Sequence, residues 1–454
     1  MNQIFQIKLK PLFRIKYFAS LVLFVLIVNN SVAQEVYDLS RCIKTGLERN
    51  FSLLVVRNNE EIATNNFTRG NAGMLPIISS SSRFGGTVTT TNQNYKDGSQ
   101  VTSDAIHNNN ASAGIDLGMT IFRGFQVQRT YQKLKEQREL EGFNTQMSIE
   151  NLVAMIVSQY NYYIQQLILN DNLAYAVSLS RERVRIDQQR YLLGGASKLE
   201  MLQSIVYLNA DSSRYAHQNE VLRTSQIRLN ELMAASDLGE NIKLKDTLIQ
   251  IDHKLLYDEL LGQTLQNNTS LRIAAKNQVI TELDSKIIKS RSYPYLTMSS
   301  GYGYTYNRYG ANTVSNQNGH GLNYGLTLGI GIYDGLNRKR EKSNALVEIQ
   351  SSKIQYQEVE QGVKADLLTI YFAYENNLRL LKLEEQNLSV ARENLEIALA
   401  RYKLGSLAGL ELREVQKSLL DAEERLISVQ YQTKIAEVSL FQISGRIMDY
   451  IAAL

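Results

Sequence analysis

The chain has 454 residues, with 26 tyrosines, no tryptophan and a formal net charge of +4. Four of its 49 basic side chains (Lys8, Lys10, Arg14 and Lys16) stand in a leader without acidic residues; removing them leaves 45 against 45 acidic ones. The remainder is neutral, so net charge points to no nucleic acid or other polyanion. A charged fraction of 21% is too low for a disordered polyelectrolyte.

The leader sets its basic residues before the apolar run Phe18–Val28 and the small-x-small sequence Ser31-Val32-Ala33. That is the pattern of a secretory signal over residues 1–33. The apolar run is short for a membrane helix. No cysteine follows the cleavage point, so no acylated N-terminus is expected. Cys42, the one cysteine, reads as a buried apolar group. No other stretch has the length of a membrane helix, so any membrane passage must use strands.

Residues from about 37 to 73 read as helix on Leu39, Ile43, Leu47, Leu54 and Ile62, with Pro76 as its end. Proline restricts its predecessor to extended geometry and suits a hinge from helix to strand. A first strand is expected at about 76–90, with Ile78, Phe84 and Val88 on one parity. A polar loop follows at about 91–110, then a strand at about 111–122. There Ile115, Leu117, Met119 and Ile121 alternate with Asp116, Gly118 and Thr120. From Gly124 to Arg190 there is no proline, which predicts a helix of about 100 Å. The turn Arg190–Ala196 leads to a return helix with Met201, Leu208, Tyr215, Leu222 and Leu229 every seven residues. Residues 235–255 read as a mixed connecting segment.

The same plan then recurs. Pro294 is the second hinge, 218 residues after Pro76, and strands are expected at about 294–305 and 321–333. In the latter Leu322, Tyr324, Leu326, Leu328, Ile330 and Ile332 alternate with small or polar residues. Leu117, Met119, Leu326, Leu328 and Ile330 are expected to face lipid, with Leu328 near the midplane. Tyr293, Tyr295, Tyr302, Tyr304, Tyr306 and Tyr309 would form an interfacial belt. Val363, Leu367, Ile370, Tyr374, Leu378, Leu381 and Leu388 mark a second long helix. Leu412, Val415, Leu419, Ala422, Leu426, Val429, Thr433, Ala436, Leu440 and Ile443 form a heptad seam in the last one, with Thr433 its one polar member. The turn Arg401–Leu407 repeats Arg190–Ala196 at an offset of 211, and Glu411 repeats Glu200. Gly194 and Gly405 suit left-handed helix caps. The mature chain thus reads as two repeats, 34–234 and 256–454. Each holds a hairpin of two strands long enough to cross a membrane when tilted.

Four strands in lipid leave two open edges, and each unpaired backbone group in hydrocarbon costs several kcal/mol. Copies must therefore pool their strands. Two copies give eight strands with a filled interior; three give twelve with room for a channel.

The duplicated helix–Pro–hairpin–long helix–turn–helix halves, with their RYxxG…E turns, resemble the outer-membrane factor family typified by TolC. The resemblance implies a membrane β-barrel plus an all-α coiled-coil barrel. It implies a homotrimer with a twelve-stranded barrel in the outer membrane and long helices in the periplasm. The implied function is the exit duct of a tripartite efflux or type I secretion system. The implied partners are a periplasmic adaptor and an inner-membrane transporter of RND, ABC or MFS type. By motif match, the adaptor-docking tips at the periplasmic entrance fall on Leu193, Gly194, Gly195, Ala196 and Glu200, and on Leu404, Gly405, Ser406, Leu407 and Glu411. No Asp stands just inside these tips, so the aspartate-ring gate of some relatives is not expected.

No catalytic, metal or cofactor motif is found. His107, His217, His253 and His320 are scattered, with His107 and His320 in expected outer loops. Gly325, Gly329 and Gly331 lie in an alternating strand, not in a phosphate loop. Glu200 and Glu411 suit the first turn of a helix. The alternative reading is a coiled-coil structural or adhesive surface protein; it leaves the greasy hairpin faces unexplained. A passive porin would have no use for the long helices.

Overall fold

A computed structural model describes residues 36–251, 255–311 and 313–452. The expected signal segment and His253 lie outside the described residues. Helices α1 (Leu39–Arg49) and α2 (Phe51–Asn66) lead to strands β2 (Ile77–Asn94) and β3 (Gln100–Arg123). Helix α3 (Gln126–Leu192) and its return α4 (Lys198–Leu232) follow. The second half runs α5 (Tyr257–Asn267), α6 (Thr269–Ser290), β5 (Tyr295–Arg308), β6 (Asn316–Gly329), α7 (Asn337–Lys403) and α8 (Gly409–Ile443). Both long helices have 67 residues and both return helices have 35, each pair offset by 211 (126 to 337, 198 to 409). A short helix α9 (Ile447–Ala452) ends the described chain, and β1 (Val36–Tyr37) pairs parallel with β4 (Lys243–Leu244) inside the connecting segment.

The four long strands form one antiparallel sheet in the order β2-β3-β5-β6, so β2 and β6 are open edges. Paired residues of an antiparallel ladder share a face, and the register aligns the apolar parities of all four strands. Ile78, Leu117, Ser300 and Tyr324 form one row; Ser80, Ile115, Tyr302 and Leu322 form the next. The opposite face carries rows such as Ser79, Asp116, Gly301 and Asn323.

The strands depart from their expected bounds. The segment 91–110, expected as a loop, is mostly strand, and His107 and His320 sit on strands opposite Val88 and Tyr304. A hairpin needs only backbone pairing, so it continues where neither face is greasy. At the other end β6 stops at Gly329, whose partner Tyr295 is the first residue of β5 after Pro294. Ile330 and Ile332 therefore lie beyond the ladder, and Ile330 is not a strand residue. Tyr295 turns to the polar face, where its ring covers Gly329. It leaves the apolar row that Tyr302, Tyr304, Tyr306 and Tyr324 share.

The first helical stretch is two helices. Asn50 interrupts it, and its Oδ1 accepts from the Leu53 N–H at 3.2 Å, capping α2. Asn268 caps α6 in the same way, accepting from Leu271 at 3.1 Å. Each asparagine also donates from Nδ2 to the end of a return helix, Leu232 O at 3.1 Å and Ile443 O at 2.8 Å. Pro76 does not end α2. That helix stops at Asn66, where Phe67 stacks on Tyr131 with ring centroids 4.7 Å apart.

Strand passes to helix at Gly124-Phe125 and at Gly335-Leu336, all four at positive φ. A Cβ on Gly124 would lie 2.3 Å from the Ser290 carbonyl, so only glycine fits there. The main core gathers where α1, α2, α3, α4 and α8 meet, around Cys42, Leu53, Ile156, Tyr160, Leu229 and Val438. Burial pushes the Cys42 thiol up to about 12. The Tyr160 hydroxyl donates to Asp246 at 2.7 Å. Further along, Leu388, Leu395, Tyr402, Leu412 and Leu419 close the α7–α8 pair.

Candidate functional site

The far end of the helices carries two turns of one construction. After α3, the Gly195 N–H donates to Arg190 O at 2.7 Å and the Gly194 N–H to Tyr191 O at 3.1 Å. After α7, Ser406 donates to Arg401 O and Gly405 to Tyr402 O, both at 3.0 Å. Gly194 and Gly405 hold φ of +76° and +77°. This is the Schellman arrangement, and it fixes why glycine follows the RYxx stretch.

The return helices start differently. The Ser197 hydroxyl accepts from the Glu200 N–H at 3.2 Å while Glu200 Oε2 accepts from the Ser197 N–H at 2.7 Å, a complete capping box. Those bonds, backbone first, hold the Glu200 carboxyl below the usual carboxylate range. Glu411 makes only the reverse bond, from the Ala408 N–H at 3.4 Å, because alanine has no hydroxyl. Leu193 and Leu404 are 87% and 84% exposed, and Leu192, Leu199 and Leu410 are exposed beside them. Gly195, Ala196, Ser406 and Leu407 complete the turns. The tips therefore present leucines on rigid caps.

Behind the tips lie buried polar pairs that join the hairpins. The Tyr402 hydroxyl donates to Asp187, linking α7 to α3. Arg413 of α8 binds Asp211 of α4 through both carboxylate oxygens, at 2.7 and 2.8 Å. Arg183 lies 3.6 Å from Asp187 and stacks over the rings of Tyr207 and Tyr402. Burial, then the bond to Asp187, pushes the Tyr402 phenol up to about 12. The hydrogen bond to Asp211 raises Arg413. Asp187 thus stands inside a tip, contrary to expectation, but it is buried against Tyr402. Spacing could not reveal these pairs, since Asp187 and Tyr402 are 215 residues apart. The available signal was local: Arg183 and Asp187 occupy i, i+4 positions on the packed face of α3.

Among the described residues no cluster of His, Cys, Asp or Glu could hold a metal. No described helix is long and apolar enough to cross a membrane. Of the expected lipid-facing residues, Leu117, Met119, Leu326 and Leu328 share the apolar face of the sheet. Pro76 and Pro294 stand immediately before β2 and β5.

A sequence profile described as Outer membrane efflux protein matches residues 260–446. Outer membrane protein TolC of Vibrio cholerae is 23% identical over 201 residues, which is 42% of this chain and 44% of that protein's own length. The pyoverdine export outer membrane protein OpmQ of Pseudomonas aeruginosa is 21% identical over 364 residues, covering 77% of this chain and 72% of OpmQ. Over residues 260–446 the chain resembles the outer membrane efflux protein family. The CmeC outer membrane channel of Campylobacter jejuni has the same fold, with a TM-score of 0.76 at 14% identity, over 90% of this chain and 86% of CmeC. A protein of that kind has a place for each part described: the outer membrane for a sheet with one greasy face, and the periplasm for long helices.

Proposed function

We propose that three copies join their sheets into a twelve-stranded barrel and their helices into a periplasmic tube. The two halves of each copy are repeats of one plan, and the assembly is a passive exit duct of a tripartite efflux or type I secretion system. One observation carries this reading. A four-stranded sheet with an apolar face and two open edges is fused to helices of about 100 Å. Each open edge would be costly in lipid, so a lone sheet is not a membrane structure. The polar face, rich in Gly, Ser, Thr and Asn, suits a wet lumen.

The tips at Leu193–Ala196 and Leu404–Leu407, with Glu200 and Glu411, are the docking face for a periplasmic adaptor. An inner-membrane transporter of RND, ABC or MFS type supplies the driving force. Pro76 and Pro294 act as hinges into the barrel. Exposed leucines on stiff caps are what a helical hairpin with an apolar stripe would seat against.

A photocrosslinker at Leu404 in intact cells tests this. Capture of a periplasmic protein anchored in the inner membrane, lost in Gly405→Asp with assembly retained, is the expected result. Equal capture from Gly405→Asp would remove the tip assignment. No capture from either tip would remove the adaptor.

A further inference from the structure

The end of the sheet away from the helices carries a charge pattern for which a duct has no use. On the apolar face the greasy rows end at Phe84 and Tyr306. Arg308 stands in the next row, between Asn109 and Asn316. His107 follows one row further out, opposite Val88, and His320 lies below, opposite Tyr304. All three are exposed. No Asp, Glu or Lys, and no other Arg or His, shares this face along the paired rows from Ile78 to Val88. The opposite face carries both signs, with Arg83 and Asp116. Asp104 lies further out, where the ladder of β2 and β3 shifts register. The basic side chains of the lipid-side face are thus confined to its outer end.

Arg308 and His107 are diagonal neighbours on that face, at about 7–8 Å. The end of β5 holds them in this relation. The Gly310 N–H donates to Asn108 Oδ1 at 3.0 Å. Gly310 lies so close on the His107 backbone that a Cβ there would fall 2.6 Å from its carbonyl oxygen. Asn109 leans away from Arg308, over Gly86, where a Cβ would fall 2.5 Å from its Oδ1. A guanidinium beside an imidazole, with no carboxylate on the face, suits a phosphate, which accepts two parallel N–H bonds from arginine.

The hairpin shows what lies above that phosphate. β5 and β6 end at Arg308 and Asn316, but β2 and β3 run on to Asn94 and Gln100. From Gly86 to Asn94 is 94 − 86 = 8 residues, about 26 Å along the strand. A phospholipid headgroup layer is only roughly 5–8 Å deep on each side. Thr91 to Asn94 and Gln100 to Ser103 carry amides, hydroxyls and one valine, without a charge. Asn92 Oδ1 accepts from Gln100 at 3.3 Å and from Thr102 at 3.1 Å. Neutral hydrogen-bonding groups above a cation match sugars above a phosphate.

We propose that this patch binds a phosphorylated glycolipid of the outer leaflet. Arg308 takes the phosphate, His107 donates a second contact, and the amide-rich hairpin lies among the sugars. The inference rests on the barrel proposed above and adds the lipid at its outer rim.

Native mass spectrometry of the full-length protein in detergent, with diphosphorylated lipid A as the probe, tests this. Lipid A is expected to stay bound to the oligomer. Arg308→Gln should weaken binding at least fivefold, His107→Ala by less, and Arg83→Gln, on the opposite face, not at all. Lipid A stripped of its phosphates should bind wild type no better than intact lipid A binds Arg308→Gln. Phosphatidylglycerol should bind wild type at least fivefold more weakly than lipid A. Equal binding by Arg308→Gln and wild type, or an equal loss in Arg83→Gln, would overturn the site. Phosphatidylglycerol that binds as tightly as lipid A would overturn the glycolipid. Either result on an intact oligomer leaves the barrel standing, whereas a particle with the mass of one chain in the same spectra would overturn the barrel.

Discussion

Ser197 and Ala408 hold the same place in two turns 211 residues apart, and only the serine can cap its helix. Ala408→Ser should complete the box that Glu411 has half formed, raising stability by about 0.5–1 kcal/mol. An unchanged denaturant midpoint would show that the start of α8 does not limit unfolding. Glu150 poses the opposite case. It is buried, and accepts hydrogen bonds from Gln146 and Thr269, both at 2.8 Å. Burial outweighs those bonds and raises its pKa. A raised native pKa means that the native state binds the proton more tightly. The associated stability is fully present below the unfolded value and is lost as pH rises through the native one. Glu150→Gln should therefore melt closer to wild type at pH 4 than at pH 7, where the variant should be the more stable. Parallel melting curves at both pH values would contradict the assignment. Glu200, held low by its cap, has the reverse sign, its contribution fading as pH falls.

The sheet sets its own membrane depth. Along β6 the greasy rows run from Leu328, paired with Leu296, to the level of Tyr306 and Phe84 opposite Asn318 and Ala111. Ten residues at about 3.3 Å, tilted about 45°, give a band of about 23 Å, close to the roughly 25 Å of an outer-membrane barrel. Its centre lies near Ile115 and Leu322, whereas Leu328 sits at the helix-side rim, so the sequence-based placement of Leu328 at the midplane is corrected. Ile115→Lys should cost about 2–4 kcal/mol and Leu328→Lys about 0–1 kcal/mol. Heat resistance of the assembled protein in detergent measures both, and equal losses would reject this depth assignment. The parity of these strands was legible because side chains alternate strictly along a ladder, as at Ile115, Leu117 and Met119. Their outer ends were not, because Thr91 to Asn94 pair with Gln100 to Ser103 through backbone and polar side chains, with no apolar alternation to mark the strand. The tips were legible from glycine's positive φ, while the polar pairs behind them were not, since Asp211 meets Arg413 across 202 residues. Pro76 misled because Phe67 and the Thr68–Asn71 turn had already closed α2.

At the scale of the whole molecule, rods meet at joints, and each half has one asparagine at its joint. Asn50 and Asn268 each cap one helix with Oδ1 and hold the last turn of a return helix with Nδ2. Aspartate in either place keeps the cap acceptor but loses the donor, and it turns a carboxylate toward Leu232 O or Ile443 O. Leaving such a part-buried carbonyl unpaired costs about 1–3 kcal/mol. Asn50→Asp and Asn268→Asp share no partner, so as independent joints their losses should add within about 0.5 kcal/mol. Coupling is the informative alternative. α3 packs on α8, whose end Asn268 holds, and α4, whose end Asn50 holds, is the hairpin partner of α3. If loosening one joint shifts that shared helix, the double variant will lose less than the sum, because the second joint will already be slack. Unfolding midpoints of the two single variants and the double variant separate these cases. Additivity would mean that the hairpins pivot separately on their asparagines; a shortfall beyond 0.5 kcal/mol would mean that α3 carries strain from one half to the other.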